Sequence, residues 1–332
     1  MNRTSIRRRT ILAGSAALTA TTLAGVATPA AAQAFPGRPI RLIVPFPPGG
    51  SVTVVARLLG QKLTERLGQP VVIDNKPGGN GLIASEELLR APADGHTLLM
   101  VVNTHVINPS IMPTMPFDVL KDFASVSTVY KLELVLVVHP SVPANNLREF
   151  IALARSRPGQ INFSAGDNAG LTHLAAETFN TVAGVKTQVI PYKGTGPALS
   201  DTLAGHVQGY FSSITPVIPH VKTGKLKAFG VSGASRAPAL AEVPTFAEAG
   251  LPGFEAGTWC GVLVPAATPR DVVNRLSAEI NAVMNLPDVK EYLVSQGLEA
   301  APSSPEQLTT LIRADLNRLA GVIKAAGIKG EK

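Results

Sequence analysis

The chain has 332 residues, 45% of them hydrophobic, which excludes a disordered polypeptide and gives enough apolar material for one large core or, as the better split, two α/β lobes. Aromatic residues make up 5% and charged residues 16%, and the body of the chain has no basic tract, so a nucleic-acid surface of stacking rings and Lys/Arg clusters is excluded. The net charge of +7 is partly a leader effect, because Arg3, Arg7, Arg8 and Arg9 stand in a first segment without acidic residues; the mild excess that remains suits an anionic small ligand.

Residues 1–34 read as a cleavable export signal. Arg7-Arg8-Arg9-Thr10-Ile11-Leu12 precedes a short apolar segment over residues 11–26, and Ala30-Ala31-Ala32-Gln33-Ala34 fits cleavage after Ala32 or Ala34 equally. The segment is too short and too rich in Ala, Gly and Thr for a membrane span, so no stable membrane insertion is expected after cleavage. Arg8-Arg9-x-Ile-Leu resembles the twin-arginine export motif, and a general secretory leader reads nearly as well; both place the mature chain in the periplasm. The single Cys260 excludes an intramolecular disulfide framework, and no cysteine stands near the cleavage site to carry a lipid anchor.

From Pro39 onward, short β-branched runs alternate with longer periodic ones, the pattern of βα units and a mainly parallel sheet. An apolar run over residues 40–44 and an amphipathic run over 56–67 are joined by Pro45-Phe46-Pro47-Pro48-Gly49-Gly50-Ser51-Val52-Thr53. This predicts strand, turn and helix: prolines hold the strand exit extended, the glycine pair turns the backbone, and Ser51 or Thr53 caps the helix. Amides of the first helical turn and the positive end of the helix dipole then form an anion-friendly concavity. Val71-Val72-Ile73 is a second strand, Asn75-Lys76-Pro77-Gly78-Gly79-Asn80-Gly81-Leu82 a glycine-rich turn into a helix over 83–90, and 97–102 a third strand. Gly79-x-Gly81-x-x-Ala84 invites a dinucleotide site, but the next strand ends at Asn103 rather than an acid, and this is the second βα turn. A turn that caps a helix or cradles a carboxylate is the better reading.

The polar stretch Asn103-Thr104-His105 leads through Pro109, Pro113 and Pro116 to a strand pair over 125–130 and 134–138, and the halt at His139-Pro140 reads as a crossing into a second lobe. There a helix over 147–157, a strand over 161–163, the loop Ser164-Ala165-Gly166-Asp167-Asn168-Ala169-Gly170 and a helix over 171–182 follow. Strand 188–191 runs into Tyr192-Lys193-Gly194-Thr195-Gly196-Pro197 and a helix ending near Gly205; strand 209–211 ends in Ser212-Ser213, and Pro216 opens a helix stopping at Gly224. A strand over 226–231 enters a Pro- and Ala-rich loop, and the chain recrosses near residues 253–264. The tail is helical: Thr268-Pro269-Arg270-Asp271 supplies an N-cap, an N1 proline and an acid before a helix over 272–284, and Ser304-Pro305-Glu306-Gln307 is a capping box before one over 308–325.

Histidines at 96, 105, 139, 173, 206 and 220 lie far apart, with no H-x-x-x-H pair and no cysteine partner, so no metal site is expected. No G-x-S-x-G elbow, Walker lysine loop or paired-carboxylate motif appears, and Ser232 lacks the second glycine of a hydrolase elbow; neither a catalytic residue nor a cofactor is expected. Cys260 reads as a buried small hydrophobe, and His173 as a capping or interlobe hydrogen-bonding residue rather than a base. What recurs is donors: turns rich in Gly, Ser, Thr and Asn at the carboxyl ends of strands, where open α/β sheets bind ligands. Charge-assisted hydrogen bonds of about 1.5–3 kcal/mol each suffice for micromolar capture of a carboxylate, about −8 kcal/mol, without a catalytic group.

From about Pro36 to the C-terminus the chain resembles the Bug-type extracytoplasmic receptors of the tripartite tricarboxylate transporter family. The likeness is carried by Pro39-Ile40-Arg41-Leu42-Ile43-Val44-Pro45-Phe46-Pro47-Pro48-Gly49-Gly50, Asn75-Lys76-Pro77-Gly78-Gly79-Asn80-Gly81 and Asp94-Gly95-His96-Thr97-Leu98-Leu99. Further blocks are His173-Leu174-Ala175-Ala176-Glu177, Pro191-Tyr192-Lys193-Gly194, Gly224-Lys225-Leu226-Lys227-Ala228, Val243-Pro244-Thr245 and Glu248-Ala249-Gly250-Leu251-Pro252-Gly253. The resemblance implies an α/β, two-lobed periplasmic binding protein of Venus-flytrap, type II-like form with two interlobe crossings, lobe 1 being residues 35–138 with 258–332 and lobe 2 residues 139–257. It implies a monomeric solute-binding receptor that captures a small organic carboxylate for the membrane permease subunits of a tripartite tricarboxylate transporter. An enzyme using the same cleft, or a ligand-sensing module without its own permease, are the alternatives.

By the same likeness the ligand residues are Pro48, Gly49, Gly50, Ser51 and Thr53; Gly78, Gly79, Asn80 and Gly81; Asn103 and Thr104; Ser164, Ala165, Gly166, Asp167 and His173; Lys193, Gly194 and Thr195; and Ser212 and Ser213. The loop from Ser164 departs from the family pattern, its glycines shifted and Asp167 standing in place of one. Many relatives carry an aspartate where Thr53 and Ser212 stand, so the resemblance implies a ligand without an amino group, because a buried ammonium needs an acidic partner.

Overall fold

The computed structural model describes residues 35–48, 51–112, 114–166 and 170–328. The expected export signal, Gly49, Gly50 and Asp167 lie outside the described residues.

In chain order the first elements are β1 (Ile40–Val44), α1 (Ser51–Leu67), β2 (Val71–Asn75), α2 (Leu82–Arg90), β3 (Thr97–Val102), α3 (Thr104–Ile111) and β4 (Phe123–Val138). There follow α4 (Leu147–Ser156), β5 (Asn162–Ala165), α5 (Leu171–Ala183), β6 (Gln188–Pro191), α6 (Thr195–Leu203), β7 (Gly209–Ser213), α7 (Ile214–Lys222) and β8 (Lys227–Val231). The chain ends with β9 (Gly257–Pro265), α8 (Arg270–Met284), α9 (Pro287–Ser295), β10 (Glu299–Ala300) and α10 (Pro305–Ala326).

The strands run in the order β2-β1-β3-β9-β4-β7-β5-β6, with β10 and β8 also on β4. β1, β2 and β3 are parallel, as are β5, β6 and β7, but β9 lies antiparallel to both β3 and β4, and β4 antiparallel to β7 and β8. The expected mainly parallel sheet is therefore mixed, because the strands that carry the chain across run against the βα units.

Alternation along each strand builds two cores per lobe. Ile40, Leu42 and Val44 pack with α1 and α8 residues such as Leu59, Leu63, Leu276 and Ile280, while Ile43 and Leu99 face the other way onto Leu88, Leu308 and Ile312. In the second lobe Leu134, Leu136 and Val138 join a phenylalanine cluster (Phe150, Phe163, Phe179, Phe211), whereas Val135 and Val137 meet Ala198, Tyr210 and Val217.

Four sequence expectations are corrected. The strand pair is one 16-residue strand, β4. Its partners change within it: Glu133 is opposite Gly257 of β9, and Leu134 opposite Ser213 of β7. This change of partners falls between residues 133 and 134, and Lys131 and Glu133 read as a break because they are the polar residues beside it. The stretch from Asn103 opens α3, which keeps Pro109 because buried Val106 and Ile107 tie it to the core. Thr268 is no cap: Pro269 takes that position, and the Thr268 hydroxyl is buried without a hydrogen-bond partner. Thr53 is no cap either, since α1 already begins at Ser51.

Candidate ligand-binding cleft

Strand registers bring the two sets of strand ends together. Val102, the last residue of β3, is opposite Cys260, which is opposite Tyr130 of β4; Ser213, the last residue of β7, is opposite Leu134 of the same strand. Four residues of strand are roughly 13 Å, so the carboxyl ends of β1, β2 and β3 and those of β5, β6 and β7 meet at the crossing from opposite sides.

Six helices begin at these ends: α1, α2, α3, α5, α6 and α7. None of them has an acidic residue in its first turn. The four helices that do not follow these strand ends all do: Glu149 in α4, Asp271 in α8, Asp288 in α9 and Glu306 in α10. An acid in the first turn neutralises the positive end of a helix, so the six starts around the crossing keep theirs.

The predicted residues separate into exposed and inward-turned groups. Pro48, Gly78, Gly79, Asn80, Lys193 and Thr195 are exposed on the turns, and Thr104, Gly81, Gly194 and Ser213 are partly so. Ser51 is the first residue of α1. Thr53 is fully buried; its hydroxyl donates to the Pro47 carbonyl at 3.2 Å and accepts from Asn75 Nδ2 at 2.9 Å. The Ser164 hydroxyl, also buried, lies 2.8 Å from Thr202 Oγ1, which itself donates to the Ala198 carbonyl, so Ser164 is the donor of that pair. Ser212 donates to the Ser213 carbonyl at 2.8 Å. These three hydroxyls hold the strand ends from inside.

Ala165 ends β5 and Gly166 follows it, both buried. The Gly166 amide donates to Thr172 Oγ1 at 2.8 Å and its carbonyl accepts from the Gly194 amide at 2.8 Å, tying two turns together; a Cβ at Gly166 would stand 2.8 Å from Thr195 Cγ2. Asn103 is buried, its carbonyl accepting from the amides of Val106 and Ile107. His173 is buried in α5 with Nε2 3.9 Å from Glu177.

Sequence reasoning missed the groups that brace these turns. Asn75 entered only as the first residue of a glycine-rich turn and Asn108 not at all, since nothing in a sequence says where an amide points. It missed Glu133 too, at the crossing beside Lys131 and Glu299: burial, then the Glu299 carboxylate, push its carboxyl up to about 7. Burial pushes the Cys260 thiol up, which keeps it protonated and inert.

Among the described residues no group of His, Cys, Asp and Glu could hold a metal ion, and no helix is long and apolar enough to cross a membrane. Two lobes joined by two crossings, with unneutralised helix starts from both lobes around the crossing, define a two-lobed solute-binding receptor. Residues 55–328 match the model described as the tripartite tricarboxylate transporter family receptor, and the chain belongs to that family, whose members are periplasmic solute-binding receptors and not enzymes.

It is 40% identical over 318 residues to a UPF0065 protein from the tcbD-tcbE intergenic region of Pseudomonas sp. (strain P51), covering 95% of this chain and 93% of the relative. To Protein BugT of Bordetella pertussis it is 37% identical, covering 92% of this chain and 94% of that one. Among solved structures, an R. palustris protein with adipate aligns at a TM-score of 0.70 and 32% identity, over 89% of this chain and 99% of that one. MatC from Rhodopseudomonas palustris with bound malate aligns at 0.67 and 30%, over 87% and 100%. A TctC solute binding protein from Polaromonas, with no ligand, aligns at 0.80 and 27%, over 88% and 99%.

Proposed function

We propose that the chain captures a small organic acid without an amino group between its two lobes and presents it, as a monomer, to the permease subunits of a tripartite tricarboxylate transporter. The observation that carries this reading is the division of the helices: six without a first-turn acid start at the crossing, and four with one start elsewhere. Among the described residues such a lining favours carboxylate and has no first-turn acid to pair an ammonium group, whose unpaired burial costs several kcal/mol. The adipate and malate in the two R. palustris structures support the class of ligand.

The change of strand partners supports drawing the lobes at residues 133/134 and near Gly257. The unliganded Polaromonas chain has the higher TM-score despite its lower identity, which supports an open arrangement of the lobes here. For export, Arg8-Arg9-x-Ile-Leu supports the twin-arginine route. Calorimetric titration of matched pairs, glutarate against glutamate and succinate against aspartate, tests the reading. The acid without an amine is expected to bind at least about tenfold tighter in the pair that binds; tighter binding of either amino acid contradicts it.

A further inference from the structure

Two turns of the first lobe are held from behind by asparagine amides of the following βα unit. Asn75, the last residue of β2, directs Nδ2 to the Phe46 carbonyl at 2.8 Å and to Thr53 Oγ1 at 2.9 Å. A carbonyl only accepts, so the amide orientation is fixed, and Thr53 passes its own proton to the Pro47 carbonyl. Asn108, 2% exposed in α3, directs Nδ2 to the Asn80 carbonyl at 3.1 Å, while its Oδ1 is buried without a hydrogen-bond partner.

Asn80 needs holding. At φ 51° it is the one non-glycine residue of positive φ among the described residues, and it stands in a run of four such residues with Gly78 at 128°, Gly79 at 56° and Gly81 at 92°. A side chain in the left-handed region is retained only where its surroundings over-determine it, and an exposed glycine-rich turn has little packing to do so. The Gly81 amide to the Gly78 carbonyl at 3.0 Å closes the turn on itself, and Asn108 joins it to the lobe.

We infer that Asn75 and Asn108 are positioning residues of the cleft: Asn75 sets Phe46 and Thr53, between the end of β1 and the first turn of α1, Asn108 sets the donors of Gly79–Gly81, and neither touches the acid. The effect on affinity rests on the proposed carboxylate reading; the bracing itself does not.

Hydrogen–deuterium exchange on the full chain separates the two. Asn108→Leu removes a buried oxygen that has no partner and fills similar volume, so the melting temperature is expected to hold; Asn108→Ala serves if the leucine variant misfolds. In either variant, amides over residues 79–85 are expected to exchange at least about tenfold faster with residues 45–53 unchanged, and in Asn75→Ala the reverse, because local opening tracks local bracing. Adipate and malate are the binding probes, and affinity for whichever binds is expected to fall about tenfold in each variant with kept fold. Exchange unchanged in both turns overturns the inference, and faster exchange with unchanged affinity overturns the positioning role. A wild-type chain that binds neither acid counts against the carboxylate reading, and exchange then decides the bracing alone.

Discussion

Half-buried Glu133 and buried His105 give the molecule two titrations of opposite sign. The Glu133 carboxylate is pressed against Gly233, where a Cβ would stand 2.0 Å from Oε1, and its carboxyl rises from 4.5 to about 7. The folded chain therefore holds this proton longer than the unfolded one, and the stability present below pH 4.5 is lost as pH rises through 7. His105 lies between Phe117 and Phe123, with ring centroids 6.0 and 5.0 Å away, and burial pushes it from 6.5 down to about 4. Its contribution is present above pH 6.5 and lost as pH falls through 4, so the two slopes oppose each other between pH 4.5 and 6.5. Glu133→Gln should unmask the histidine: urea denaturation is expected to show stability rising with pH across that window, and a gain over wild type at pH 8 that is absent at pH 4.5. At this scale residue type was legible and direction was not. Thr53, Ser164 and Ser212 are expected ligand residues whose hydroxyls also bond within the protein, Thr53 to the Pro47 carbonyl, Ser164 to Thr202 Oγ1 of α6 and Ser212 to the adjacent Ser213 carbonyl, and residue type alone announces none of these partners.

Elements were legible where local chemistry decides them. β1, β3 and β6 fall at their expected residues, and the capping box of α10 is present: Ser304 Oγ accepts from the Gln307 amide at 3.2 Å, and Gln307 Oε1 accepts from the Ser304 amide at 2.8 Å. Ser304→Ala should cost about 1 kcal/mol in urea denaturation, whereas Thr268→Val, which removes a buried hydroxyl without a partner, should cost nothing or stabilise. Equal losses in both would contradict the capping assignment. α3 was not legible, because its prolines and polar first turn speak for a loop and only the packing of Val106 and Ile107 overrules them. α9 was not either, with Val289 and Leu293 alone buried on a short helix. The missing first-turn acids are visible in the sequence, but they acquire meaning only once the fold shows which helices start together.

For the whole molecule, the two-lobed form was legible from the βα alternation and the family blocks, while the change of partners along β4 was not, because the strand has no local break where it occurs. The lobes also touch beyond the crossings: Leu174 of α5 packs in the same cluster as Trp259 of β9 and Leu308 of α10. The closure proposed here is expected to turn β4 and β9 about residues 131–134 and 257–259, and a ligand drives it only by contacting both lobes better when they are closed. Small-angle X-ray scattering of the full chain, alone and with a saturating amount of the tightest-binding acid from the calorimetric series, tests this most directly. A smaller radius of gyration with the acid bound is expected; a bound acid that leaves the radius unchanged contradicts capture by closure.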